Sequence, residues 1–265
     1  MTPPPLLLHD TTPNRRPQLV AVTWARTVPV ELLARSLSVD DHARLGGLRR
    51  NGDRDRSASA RVLLRAAVGA WAGAPAEGVV IRTACALCGA TDHGKPFVAQ
   101  TSAITAMPQV SVAHADDVVV VAVTAAGPVG VDVEPVDAAQ FDGFDAVALS
   151  QVERAAQGLR EPGARVRTWV RKEAVLKATG LGLTIDPRSV VVSAAHEPPR
   201  VDEPPAGDDA AHWQLRDVEL TAGLACAVAV RTGPSGSLEV QVAELDVGSL
   251  ISGGSSDRNS HASNR

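Results

Sequence analysis

Two valine-rich runs, Val118 to Val123 and Val129 to Glu134, are separated only by a turn at Ala126, Gly127 and Pro128. β-Branched residues pack well on a pleated surface and lose rotamer freedom in a helix, so the centre of the chain reads as two successive strands. The longest apolar stretch, Val118 to Ala126, is far shorter than the roughly 20 residues of a membrane helix. The N-terminus lacks a basic-then-apolar signal pattern, so a cytoplasmic protein that avoids membranes is expected. Around these strands the apolar period changes to that of a helix. Val62, Leu63, Ala66, Ala67 and Gly69 to Trp71 recur at helical spacing within a helix spanning about 55–72, stopped by Gly73 and Pro75. A second helix spans 165–179 and ends at Gly180 and Gly182. Strands mixed with helices give an α+β fold, and 265 residues with 45% hydrophobic content are enough for a full core.

Further strands are expected at 18–25, 79–82, 110–112, 189–193, 213–220 and 224–230, with helical pattern near 31–35 and over 144–159. A proline-rich loop covers 197–207. Residues 1–17 hold Pro3, Pro4, Pro5, Pro13 and Pro17, and 251–265 show no apolar period; both ends are expected to be disordered. The turn at 125–128 divides the chain into halves at 18–125 and 126–250.

A net charge of −4 and a pI near 6.0 argue against a nucleic-acid binder. Arginine is nevertheless concentrated between Arg44 and Arg65, where seven arginines face only Asp53 and Asp55, so the segment is either an anion-docking face or a solvated helix face. Cys85, Cys88 and Cys226 are too few for a disulfide framework. Cys85, Cys88 and His93 have a spacing that could ligate zinc, but no second Cys-x-x-Cys or clear fourth ligand lies nearby, and metal-free thiols are the expectation.

Alternation along the strand Val129 to Glu134 places Asp132 and Glu134 on one face, about 7 Å apart. Such a pair either faces solvent or shares a cation, and carboxylate oxygens suit Mg²⁺. On the helix 165–179, Val166, Trp169, Val170, Glu173 and Lys177 fall on one side, so two charges interrupt an apolar stripe. They require a metal, a phosphate or each other as an i,i+4 ion pair. Trp169 is expected in the core.

GVDVE followed 35 residues later by WVRKEAVLKATGLGL resembles the paired signature of 4'-phosphopantetheinyl transferases. Trp169, Lys172, Glu173, Ala174, Lys177, Gly180 and Gly182 match the second motif, and the resemblance extends through Gly94, Lys95 and Pro96 to cover roughly 20–245. Length points to the surfactin-type subfamily, whose single chain carries two similar α+β halves with the active site between them. The resemblance implies Mg²⁺ (or Mn²⁺) on Asp132, Glu134 and Glu173, and Glu173 and Lys177 as catalytic residues. It implies coenzyme A held by Arg44, Arg56, Ser57, Lys95, His114 and Lys177, and the phosphopantetheine arm transferred to a serine of an apo acyl or peptidyl carrier protein by a monomer. One element departs: the family's Asn-x-Ser-His-Ser is Ser111-Val112-Ala113-His114-Ala115 here, so only the histidine is kept. A noncatalytic carrier-binding homologue and a magnesium-dependent nucleotide pyrophosphate hydrolase are the alternatives.

Overall fold

The computed structural model describes residues 18–104, 106–156, 160–233 and 237–252. The expected disordered ends lie outside it, apart from residues 251 and 252, and so does the end of the expected helix at 157–159. The strands are β1 (Gln18–Arg26), β2 (Val80–Ala84), β3 (Lys95–Gln100), β4 (Gln109–Ala115), β5 (Val118–Thr124), β6 (Val129–Pro135), β7 (Val191–Val192), β8 (Val201–Glu203), β9 (Trp213–Asp217), β10 (Leu224–Arg231) and β11 (Leu238–Glu244). The α-helices are α1 (Val30–Leu33), α2 (Val39–Gly46), α3 (Asn51–Ala72), α4 (Phe144–Ala148), α5 (Gln151–Ala155), α6 (Ala164–Thr179) and α7 (Val247–Ser252). The expected α+β mixture is what the chain adopts. Among the described residues no helix is long and apolar enough to cross a membrane.

Two sheets carry the architecture. The first has the order β11-β1-β5-β4, antiparallel except for the parallel β1–β11 pair, and the second is an antiparallel β6-β10-β9. Hairpins β2–β3 and β7–β8 follow α3 and α6 respectively. The chain turns from the first sheet into the second at 125–128, and β11 later crosses back to pair Gln18 with Leu238.

Strand parity divides the core into three. Val119, Val121 and Val123 of β5 pack with Leu63, Ala67 and Val68 of α3. Ala227 and Ala229 of β10 pack with Val170, Ala174 and Ala178 of α6. The alternate residues of the same strands, Val118, Val120, Val131, Val133 and Val228 among them, meet in a third core shared by both sheets. Burying β-branched side chains on both faces explains why these strands read as continuous apolar runs rather than alternating ones.

The helical pattern over 144–159 resolves into α4 and α5, because Ser150 caps a new helix: its Oγ accepts from the Glu153 amide while Glu153 accepts from the Ser150 amide. The expected strand at 189–193 is reduced to two residues behind a 3₁₀ turn at Pro187–Ser189, and β9 stops at Asp217. The proline-rich loop contains β8. Trp169 packs against the α6 core and meets Phe144 edge-on, with ring centroids 5.9 Å apart.

Candidate active site

The site begins with a glycine. Gly130, Asp132 and Glu134 occupy the face of β6 opposite to the shared core. A Cβ at Gly130 would lie 1.9 Å from the Ala174 carbonyl oxygen and 2.5 Å from the Ala178 nitrogen, so only a glycine lets α6 rest directly on the strand backbone. Two residues further along β6, Asp132 meets the next part of the same helix. Its Oδ1 accepts a hydrogen bond from Lys177 Nζ at 2.6 Å. Its Oδ2 is buried and has no hydrogen-bond partner among the described residues.

Glu173 lies one helical turn before Lys177, and Glu134 is half-buried two residues after Asp132 on the same strand face. Burial, reinforced by the charges of Asp132 and Glu134 and opposed by Lys177, pushes the Glu173 carboxyl up to about 7. Burial raises Asp132, with Lys177 pulling the other way, and burial together with Asp132 raises Glu134. The i,i+4 pair within α6, one of the alternatives, is therefore not the arrangement found: Lys177 bonds Asp132, and its charge acts on all three carboxylates. Asp132, Glu134 and Glu173 together offer oxygen donors of the kind a hard divalent cation takes, with one buried oxygen orphaned, although among the described residues the three do not bring one ligand atom each within 4.8 Å of one another.

A groove of about 450 Å³ runs past Lys177, bounded by Lys95, Pro96, Ser111, Gly180 and Leu181. Lys95 donates to the Ala178 carbonyl at 2.9 Å, close to the C-terminus of α6, and burial lowers its ammonium to about 8. Ser111, on β4, accepts from the Val131 amide at 3.1 Å and so ties the edges of the two sheets. His114 follows on β4. Reduced solvation, then the positive charges of Arg56 and Lys177, hold its imidazole below the usual histidine range. Arg56 itself donates to Asp53 at 2.5 Å and to the Asp116 carbonyl at 3.3 Å, and Ser57 follows it, half-buried, on α3. Arg56, His114, Lys177 and Asp132 are thus one electrostatic neighbourhood. Arg44 stands apart: it donates to the Asp92 and Thr91 carbonyls at 2.6 and 2.5 Å and to Thr83 Oγ1 at 2.8 Å.

Two charged residues that support the site are not recognisable as buried from the helical pattern. Lys172 is fully buried and donates to Glu153, whose other oxygen accepts the Val192 amide at 3.0 Å. Arg171, 1% exposed, grips Asp217 through Nε at 2.8 Å and Nη2 at 2.6 Å and also donates to the carbonyls of Ser193, Ala194 and Glu197. These bonds fix the roll of α6, and with it the direction of Glu173 and Lys177. The capping pair Ser150 and Glu153 was the one local signal pointing to this anchor.

No curated protein matches the chain. Residues 128–229, which run from the turn before β6 almost to the end of β10 and contain Asp132, Glu134, Glu173 and Lys177, match the family model of the 4'-phosphopantetheinyl transferase superfamily. The segment that carries these residues therefore has the sequence pattern of that superfamily, and the match supports phosphopantetheinyl transfer as its general chemistry.

Proposed function

We propose that the chain transfers the 4'-phosphopantetheine arm of coenzyme A to a serine hydroxyl of an apo acyl or peptidyl carrier protein, releasing adenosine 3',5'-bisphosphate. The observation that carries this reading is the orphaned Oδ2 of Asp132 beside Glu134, Glu173 and Lys177, inside the segment that matches the superfamily. Asp132, Glu134 and Glu173 would hold Mg²⁺ or Mn²⁺, which when bound supplies positive charge to the pyrophosphate. Glu173 accepts the proton of the serine as its Oγ forms a bond to the phosphorus on the pantetheine side. The bond from that phosphorus to the bridging oxygen breaks, and the electron pair leaves with the nucleotide. Lys177 spends one donor on Asp132 and has others for the phosphate oxygens, where charge grows during transfer. Lys95, which lines the groove past Lys177, and Arg56 and His114, in the electrostatic neighbourhood of Lys177 and Asp132, would serve as phosphate contacts, with Ser57 beside Arg56.

The same reading takes the chain as two similar α+β halves of the surfactin type. It is supported by the repeated order of strand, long helix, hairpin and two strands, with sheet orders β1-β5-β4 and β6-β10-β9. Both halves come from one chain, so the proposed enzyme works as a cytoplasmic monomer, and neither nucleic acid nor a membrane takes part.

Incubation with coenzyme A, Mg²⁺ and an apo carrier, followed by intact-mass measurement, tests the proposal. The carrier should gain one phosphopantetheine, and adenosine 3',5'-bisphosphate should appear in equal amount. Coenzyme A split without labelling would overturn transfer in favour of hydrolysis, and carrier binding without either product would leave a noncatalytic homologue.

A further inference from the structure

The hairpin loop between β2 and β3 carries chemistry that the acidic cleft does not use. Cys85, Cys88 and His93 each place one ligand atom within 4.8 Å of the others. Cys88 Sγ lies 3.4 Å from His93 Nε2. In a tetrahedral zinc site with Zn–S near 2.3 Å and Zn–N near 2.0–2.1 Å, sulfur and nitrogen ligands stand about 3.5 Å apart. Cys88 and His93 are therefore already at the spacing of ligands around one ion, and Cys85 Sγ lies within 4.8 Å of both.

Three further features separate this loop from a chance cluster. His93 turns Nδ1 toward Asp92 Oδ1 at 2.7 Å, which leaves Nε2 directed at the sulfur. A carboxylate on the far nitrogen is the usual outer partner of a metal-bound histidine, because it fixes ring orientation and tautomer. The loop is also closed on itself, by Cys85 N–H to the Ala90 carbonyl at 2.9 Å and Gly89 N–H to the Cys85 carbonyl at 3.0 Å. Arg44 clasps it from outside through the Thr91 and Asp92 carbonyls. Arginine donors spent on backbone carbonyls hold the loop's shape without entering the ligand set.

We infer that Cys85, Cys88 and His93 bind one zinc ion, with water in the fourth position and Asp92 as the positioning residue behind His93. Two thiolates and an imidazole suit zinc and exclude the hard cations of the acidic cleft. The expectation of metal-free thiols is replaced by this assignment. The absence of a fourth protein ligand, which weighed against zinc in the sequence, is met by the opening of the loop onto the groove, which Cys85 and His93 help to line. Lys95 follows His93 by two residues, so the ion would tie down the loop from which Lys95 reaches α6. The inference is independent of the transferase reading.

Elemental analysis of the full-length protein, purified with reductant and without added chelator, should find about one zinc per chain. Cobalt added to the chelator-treated protein should give thiolate-to-cobalt charge-transfer absorption and tetrahedral ligand-field bands, saturating at one equivalent. Cys88→Ser should abolish both signals while far-ultraviolet circular dichroism stays unchanged, and Asp92→Asn should weaken cobalt affinity by about tenfold or more. Wild-type protein that holds no zinc and shows no thiolate-to-cobalt band at several equivalents overturns the assignment, as does retention of the full spectrum in Cys88→Ser. Cys226 cannot supply the signal, since it is buried in the core between the sheets, where burial drives its thiol far above the ordinary range.

Discussion

Helices α3 and α6 hold corresponding places, each covering the outer face of one sheet, yet they are built from opposite chemistries. α3 buries Ala58, Leu63, Leu64, Ala67 and Val68, and its Arg61 and Arg65 pair with the buried Asp41 of α2 at 2.8 and 2.7 Å. α6 buries Arg171, Lys172 and Glu173 in succession. Four cations of α6 have carboxylate partners: Arg165 with Asp145, Arg171 with Asp217, Lys172 with Glu153 and Lys177 with Asp132. Glu173 is left with the charge of Lys177 to offset two other carboxylates. A helix face that only holds a sheet needs small and branched apolar residues, whereas one that also builds a site must bring charge inside and compensate all of it except where ligand will act. The uncompensated remainder marks the chemistry.

The strongest way to break this contrast is at that remainder. Asp132→Ala or Glu173→Ala should lower carrier labelling on the order of 10³-fold with little loss of fold. Leu63→Ala in α3 should instead cost about 2–5 kcal/mol of stability and leave kcat unchanged in the folded fraction. Labelling assays beside urea melts separate the two, and full activity in either carboxylate variant would remove the acidic cleft from the reaction. The next largest effect belongs to the compensated charges. Lys172→Ala leaves the buried Glu153 charge without its cation and should cost about 3–5 kcal/mol, while the paired change Lys172→Met with Glu153→Gln, which removes the charge and keeps an acceptor for the backbone amides of Ser150 and Val192, should recover part of it. If the double variant melts no higher than the single one, the pair is not what stabilises α6.

Much of this contrast can be read along the chain, and what cannot is the choice of partner. The strand face of Asp132 and Glu134 and the charged interruption of α6 follow from periods of 2 and 3.6, which are local. That Lys177 would turn to Asp132 rather than Glu173 depends on how closely α6 approaches β6, which Gly130 sets from another element. Lys172 was visible as a motif residue, but its burial against Glu153 required knowing that α5 packs beneath α6. β11 alternates well enough to be a strand, although its pairing with β1 joins Leu238 to Gln18 across nearly the whole described chain. α2 is different: Ser38 and Asp41 form a capping box whose signal is entirely local.

Gly130 offers a smaller perturbation that sharpens the comparison, because it touches neither charge nor ligand. Gly130→Ala must push backbone apart, at a cost of about 1–3 kcal/mol, and should shift α6 relative to Asp132. Labelling per folded molecule, with folding followed by circular dichroism, should fall while the acidic side chains remain intact. Unchanged turnover would mean that the spacing of α6 and β6 does not set the reaction.

The smallest effect is the titration of Lys95, which reaches from β3 to the end of α6. Burial lowers its ammonium to about 8, below the usual lysine value, so the unfolded chain binds more protons than the folded one above that pH. Stability from this group therefore rises with pH from about 8 toward 10.5, as the buried charge is relieved. Affinity for a phosphate should move the opposite way, since the neutral amine no longer supplies a charge-assisted bond. With coenzyme A varied, kcat/KM should fall by about tenfold on going from pH 7 to 9.5, while kcat changes less because bound phosphate keeps the lysine protonated. Lys95→Arg, which stays charged throughout, should abolish that break. A parallel decline in melting temperature and kcat/KM over the same interval would show general alkaline unfolding instead, and an unchanged break in Lys95→Arg would assign it to another group.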